Sequence, residues 1–147
     1  MISFMWKTRY SVGVRVLDEQ HQAIMNGLNE LHEGIMCGKL NEAAAPLIDN
    51  LVSLAANHFA AEEELLESTR YPGLANHRAS HQALMKRVAE FIVRQRLGDH
   101  AAFSQFMYFL RESITRHMEN EDREYVPWLA AHREAGSPVL HPTFTDL

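Results

Sequence analysis

This chain of 147 residues has one cysteine, Cys37, so a single copy can form neither an internal disulfide nor a cysteine-based zinc or iron–sulfur site. It has no run of lysine or arginine, and its formal net charge is -5, which leaves nothing to track a phosphate backbone; nucleic acid is excluded as a partner class. No apolar run approaches the roughly 20 residues that cross a bilayer, and Met1 to Tyr10 is too polar for a signal-peptide core. Membrane insertion is therefore not expected, and a cytoplasmic protein is. The 22 % of charged and 46 % of hydrophobic residues are ordinary for a globular domain, and this length suits one domain better than two. Histidine is the abundant residue, with nine.

Period-two alternation is missing as well, and four long segments carry helical periodicity instead. The first is expected from Asp18, a suitable N-cap, to Cys37, with Ile24, Leu28, Leu31 and Ile35 on one stripe and Gly38 as its stop. The second begins near Asn41 and runs to about Thr69, with Leu47, Leu51, Leu54 and Leu65 inward, Pro46 in its first turns, and Tyr71, Pro72 and Gly73 breaking it. The third spans about Leu74 to Leu97, with Leu84, Val88, Phe91 and Ile92 on its face; Gly98 ends it and Asp99 can cap the next. The fourth carries Phe103, Phe106, Met107, Leu110 and Ile114 and runs toward Pro127.

Short connections between helices of similar length imply antiparallel neighbours, so the expected fold is all-α, an up-down-up-down four-helix bundle. Residues 1–17 read as a non-helical arm in which Trp6 and Tyr10 lie across the bundle, 18–126 as the helices, and 127–147, with Gly136, Pro138 and Pro142, as an irregular tail. All of it is taken as a single domain.

The apolar stripes also carry polar residues. His21 precedes Ile24 and Leu28. His58 and Glu62 fall between Leu54 and Leu65, His77 and His81 lead into Leu84 and Val88, and His117 continues Leu110 and Ile114. Each has a plain reading by itself: a lone inward histidine is usually a satisfied core residue, and His58 with Glu62 is an ordinary i,i+4 pair. Together they are not plain. A buried polar group without a partner costs about 2–7 kcal/mol, against about 5–15 kcal/mol of net stability for a whole domain. Neutral imidazoles and carboxylates on four core faces are satisfied jointly by first-row divalent ions. His32, His100, His132 and His141 lack this context and are expected at the surface.

Spacing alone leaves the acidic partner of His117 open. Ideal helix geometry favours Glu121, four residues on, over Asp122, which is five on and about 140° around; using Asp122 requires a loosened or bulged turn.

The order His21, His58-x-x-x-Glu62, His77-x-x-x-His81, His117-x-x-x-x-Asp122 resembles the seven-ligand signature of the hemerythrins. The likeness extends over about residues 6–126, including Trp6, the run Leu17-Asp18-Glu19-Gln20-His21, and Phe59 directly after a ligand. It selects Asp122. It implies two iron ions (Fe2+/Fe3+) with a bridging oxo or hydroxo group. His77, His81 and His117 would complete the shell of one ion, His21 and His58 would hold the other with a position left open, and Glu62 and Asp122 would bridge. The implied activity is reversible binding of dioxygen, for storage, transport or delivery, without an enzyme's turnover.

A dry pocket would protect the adduct. Ile24, Phe59, Ile114 and Met118, each next to a ligand or one turn away, are its candidate walls, and they serve equally as core. Hemerythrins often have a tryptophan four residues before the fourth-helix histidine; this chain has Ser113, which bears on the dryness of and access to the same pocket. Rival readings are an oxygen or redox sensor using the same centre, a peroxidase, and an iron-detoxifying protein. Ferritin-like di-iron enzymes use Glu-x-x-His on two helices, which this sequence lacks.

Overall fold

The computed structural model describes residues 4–37, 44–99 and 101–134. A 3-10 turn, Thr8–Tyr10, leads into α1 (Arg15–Met36), α2 (Ala44–Ser68), α3 (Leu74–Arg96) and α4 (Ala101–Arg116). A π-helical turn, His117–Glu121, then joins α4 directly to α5 (Asp122–Glu134), so these three pieces make one rod. The protein is an antiparallel four-helix bundle, with no strand among the described residues. α1 packs along α2, α2 against α3 and α3 against α4, as short connections dictate.

The helix ends follow local chemistry. α1 starts three residues before the expected cap, at Arg15, with extended Val14 as its N-cap. Asp18 sits inside the first turn and reaches backward: its carboxylate accepts the Val12 N–H at 2.9 Å and the Ser11 hydroxyl at 2.6 Å. It satisfies donors of the arriving chain, much as the third helical residue does in a capping box. α2 ends with the Tyr71 N–H bonded to the Leu66 carbonyl and Arg70 in the left-handed region at φ 56°, a Schellman closure at a position usually given to glycine. Gly98, φ 86°, follows the end of α3, and Asp99 accepts the Ala102 N–H at 3.1 Å, as the sequence suggested.

One expectation fails. The fourth rod does not give way to an irregular tail at 127; α5 passes through Pro127 and continues to Glu134. Proline removes one helical hydrogen bond and crowds the preceding turn, at about 3 kcal/mol. Leu129, fully buried, and Trp128, edge-on to Tyr71 at 6.1 Å, hold this segment against the bundle. The expected N-cap Asn41, the stop at Gly38, and residues 135–147 of the tail lie outside the described residues.

Two apolar cores flank the middle of the bundle. One is built from Leu28, Leu31, Ile48, Phe91, Phe103, Phe106 and their neighbours. The other joins Val12, Val14, Leu17, Leu66, Tyr125 and Leu129. The arm lies across the bundle: Asn29 bonds both backbone groups of Phe4, at 2.7 and 2.9 Å, and Tyr10 is buried with Met25 and Met118. Among the described residues no helix is long and apolar enough to cross a membrane.

Candidate metal centre

The polar residues of the stripes meet between the two cores. α1 supplies His21, α2 His58 and Glu62, α3 His77 and His81, the π turn His117, and the start of α5 Asp122. None is more than 6 % exposed, and Glu62 and Asp122 are fully buried. The π turn resolves which acid follows His117. The Asp122 N–H bonds to the His117 carbonyl, five residues back, and this widened turn brings residue i+5 onto the face that an α-helix gives to i+4. Asp122 faces inward, with Oδ1 3.0 Å from His117 Nε2.

Glu62 Oε2 lies 3.0 Å from His77 Nε2, 3.1 Å from His81 Nε2 and 3.9 Å from His58 Nε2. Asp122 lies 3.2 Å from His21 Nε2 through Oδ2, and 3.5 Å from His77 Nε2 through Oδ1. The donors form two groups, Glu62 with His77, His81 and His117, and His21 with His58, Glu62 and Asp122, each with its ligand atoms within 4.8 Å of one another. Glu62 belongs to both.

The outward nitrogens fix the rings. His58 Nδ1–H donates to Gln20 Oε1 at 2.9 Å and His81 Nδ1–H to Glu63 Oε1 at 2.7 Å. His117 Nδ1–H donates to Glu121, which also accepts the Ser80 hydroxyl. A carboxylate only accepts, as does the amide oxygen that Gln20 presents, so each of these partners holds the proton on Nδ1 and leaves Nε2 with its lone pair pointing inward. His81 Nε2 and His117 Nε2 are then 3.0 Å apart. Both nitrogens of His21, Nε2 of His58 and both oxygens of Asp122 are buried without a hydrogen-bond partner. Buried polar atoms are otherwise nearly always paired. Lone pairs converging with no hydrogens to receive fit a set of metal ligands, and fit little else.

The electrostatics agree. In the metal-free protein, burial opposes charge on His117, but the adjacent Asp122 carboxylate outweighs it and raises the imidazole to about 9. His77 is raised too: burial opposes its charge, but the hydrogen bond with Glu62 and the charges of Glu62 and Asp122 together outweigh it. Burial, and then the neighbouring His21, push His58 down to about 3. Burial alone would protonate Glu62, yet the hydrogen bonds from His77 and His81 hold it well below the usual carboxylate range. Asp122 is lowered despite burial and the like charge of Glu62, because His117 and His21 face it. Protons on imidazoles stand here where cations would.

Beside these donors lies a mostly enclosed cavity of about 40 Å³, walled by Ile24, Phe59, Ile114 and Met118 and touching His21, His58 and His117. That volume is enough for a water-sized or diatomic molecule. Phe59 also stacks on His81, with centroids 3.8 Å apart. Ser113 does not line this cavity. It lies on an open depression of about 360 Å³ with Ser80, Arg87, Arg116, His117 and Glu121. Ile114 takes the inward direction on α4, and a hydroxymethyl group at 113 is too short to close over the His117 ring.

A family model for the hemerythrin HHE cation binding domain matches residues 12–129. The chain belongs to the hemerythrin family. It is 32 % identical to the bacteriohemerythrin of Stenotrophomonas maltophilia over 132 residues, 90 % of this chain and 85 % of that one. A hemerythrin subunit of Sipunculus nudus is 25 % identical over 122 residues, covering 83 % of this chain and 90 % of that one. A crystal structure of wild-type hemerythrin superposes with a TM-score of 0.80 at 24 % identity, covering 88 % of this chain and 99 % of that one, which is a likeness of fold.

All seven residues that the hemerythrin signature singles out are thus brought to one place. The pattern did not single out Gln20 or Glu63, while the Tyr125 hydroxyl, eight residues after His117, donates to Glu62 Oε1 at one end of the site. Gln20 and Glu63 each adjoin a converging residue in the chain, and that adjacency was their only signal; Glu121, which ideal spacing favoured as the inward acid, is instead the outer partner of His117. Tyr125 is fully buried, and burial with the charge of Glu62 raises its phenol well above the usual value. His132 is half-buried against Trp128 at 4.7 Å, and His32 is half-buried; His100 and His141 lie outside the described residues.

Proposed function

We propose that this member of the hemerythrin family binds dioxygen reversibly at a pair of iron ions, as a single-domain, cytoplasmic oxygen-binding protein and not an enzyme. The two ions, able to pass between Fe2+ and Fe3+ and joined by an oxo or hydroxo bridge, would supply the electrons that side chains cannot lend to dioxygen. His77, His81 and His117 would hold one ion, His21 and His58 the other, with Glu62 and Asp122 shared between them. The observation that carries this reading is that one buried carboxylate, Glu62, belongs to two overlapping donor groups.

Imidazole and carboxylate suit iron among the first-row metals. Two carboxylates offset half of the charge of two ferrous ions, and the buried donor set is otherwise neutral. Gln20, Glu63 and Glu121 orient the imidazoles from outside. Ile24, Phe59, Ile114 and Met118 exclude water from the neighbouring space, and among them is no acid or base to protonate a bound adduct.

The test is a cycle of absorption spectra, recorded as reduced, iron-loaded protein is exposed to oxygen and then evacuated. Recovery of the starting spectrum over repeated cycles supports carriage. Irreversible oxidation with peroxide release contradicts it. The depression beside His117 favours a second reading, in which water reaches the centre and the same ions act as a peroxidase or in detoxification; steady consumption of added peroxide would identify it.

A further inference from the structure

The outward partners of the imidazoles are unequal. The group Glu62–His77–His81–His117 has two carboxylates behind it, Glu63 on His81 at 2.7 Å and Glu121 on His117. In the group His21–His58–Glu62–Asp122, His58 has a neutral amide, Gln20, at 2.9 Å, and His21 Nδ1 has no hydrogen-bond partner among the described residues. An N–H given to a carboxylate forms a charge-assisted bond, roughly twice as strong as one given to a neutral acceptor, and it increases the electron density that the ring offers at its other nitrogen. Every resolved Nδ1 bond to a carboxylate therefore favours positive charge at one end of the centre.

The two carboxylates also differ. Glu63 shares its charge with Arg78, whose Nε lies 3.2 Å away. Among the described residues Glu121 has no arginine or lysine partner and is supported by the neutral Ser80 hydroxyl. Glu121 is the stronger of the pair.

We infer that Gln20 and Glu121 are positioning residues that set the order of oxidation: the first electron leaves from the ion at His77, His81 and His117, while the ion at His21 and His58 stays reduced. This rests on the di-iron reading above. The oxidation needs an external one-electron acceptor; ferricyanide serves, taking one electron per step to become ferrocyanide while one Fe2+ becomes Fe3+.

The experiment is a potentiometric titration of iron-loaded wild type, Glu121→Gln and Gln20→Glu, with iron counted in each. Glu121→Gln is expected to make the first oxidation about tenfold less favourable, about 59 mV for a one-electron couple. Gln20→Glu is expected to ease the second oxidation by a similar factor and leave the first nearly unmoved. The gap between the two couples narrows in both variants. If both variants keep their iron and the first couple does not move in Glu121→Gln, or if each variant moves both couples equally, the inference is overturned while the di-iron reading survives. A wild type that takes up no iron pair overturns both. Gln20→Glu preserves side-chain shape, so it decides the matter if Glu121→Gln loses iron.

Discussion

His81 Nε2 and His117 Nε2 face each other across 3.0 Å while each ring gives its other nitrogen to a glutamate. Two imidazoles fixed in this way present lone pairs to one another, and only a cation or a shared proton makes that arrangement favourable. The metal-free protein uses protons. His117, raised to about 9, holds one in the folded state that the unfolded chain releases near pH 6.5. Its contribution is fully present below about pH 6.5 and is lost as pH rises through about 9. His58, lowered to about 3, works in the opposite sense: the unfolded chain binds a proton below about pH 6.5 that the folded protein refuses. Stability of the metal-free protein is expected to peak near pH 6.5 and to fall on both sides, by an amount on the order of 3 kcal/mol at either extreme. Thermal melts from pH 4 to about 9.5 check this. A profile that rises steadily toward alkaline pH would contradict it. Loading the metal should flatten the alkaline limb, since bound ions replace the protons.

The π turn makes neighbouring acids unequal. Asp122→Ala removes a converging carboxylate and is expected to lose or scramble the metal pair. Glu121→Ala removes only the outer partner of His117, so iron stoichiometry stays near two at saturation while affinity falls about 10–100-fold. Iron analysis after dialysis against graded chelator distinguishes them. Equal loss in both variants would mean that the widened turn does not choose the ligand.

Ser113 borders the open depression that His117 also lines. Ser113→Trp is expected to fill much of it, hinder the approach of water and slow autoxidation of the oxygenated form several-fold. The decay of its absorption in air is the readout; no change, or a faster decay, would remove solvent entry at this point from the account.

Tyr125→Phe deletes the hydroxyl that donates to buried Glu62. Leaving that oxygen one donor short should cost about 1–3 kcal/mol in the metal-free protein. Urea unfolding measures it, and a midpoint equal to wild type would show that Glu62 finds another donor.

Much of this fold was legible because its signals are periodic. The stripes through Leu28, Leu51, Val88 and Phe106 alone specify four helices, and the histidines were visible because they interrupt those stripes. The choice of Asp122 was not legible from periodicity, which favoured Glu121. A π turn is stabilised by what it presents to the interior and not by local propensity, so only the resemblance anticipated it. Pro127 misled for the complementary reason: packing of Leu129 and Trp128 offsets a local penalty that the sequence displays openly. Gln20 and Glu63 were overlooked because each points sideways from its converging neighbour, where a polar residue looks like any solvated one.

X-ray absorption at the iron edge of freshly purified protein, with metal content measured on the same sample, addresses the central claim most directly. The account predicts two irons per chain, nitrogen and oxygen ligation without sulfur, and a second iron within about 4 Å of the first. Iron bound singly with no metal neighbour, or a folded protein with no iron at all, would contradict it.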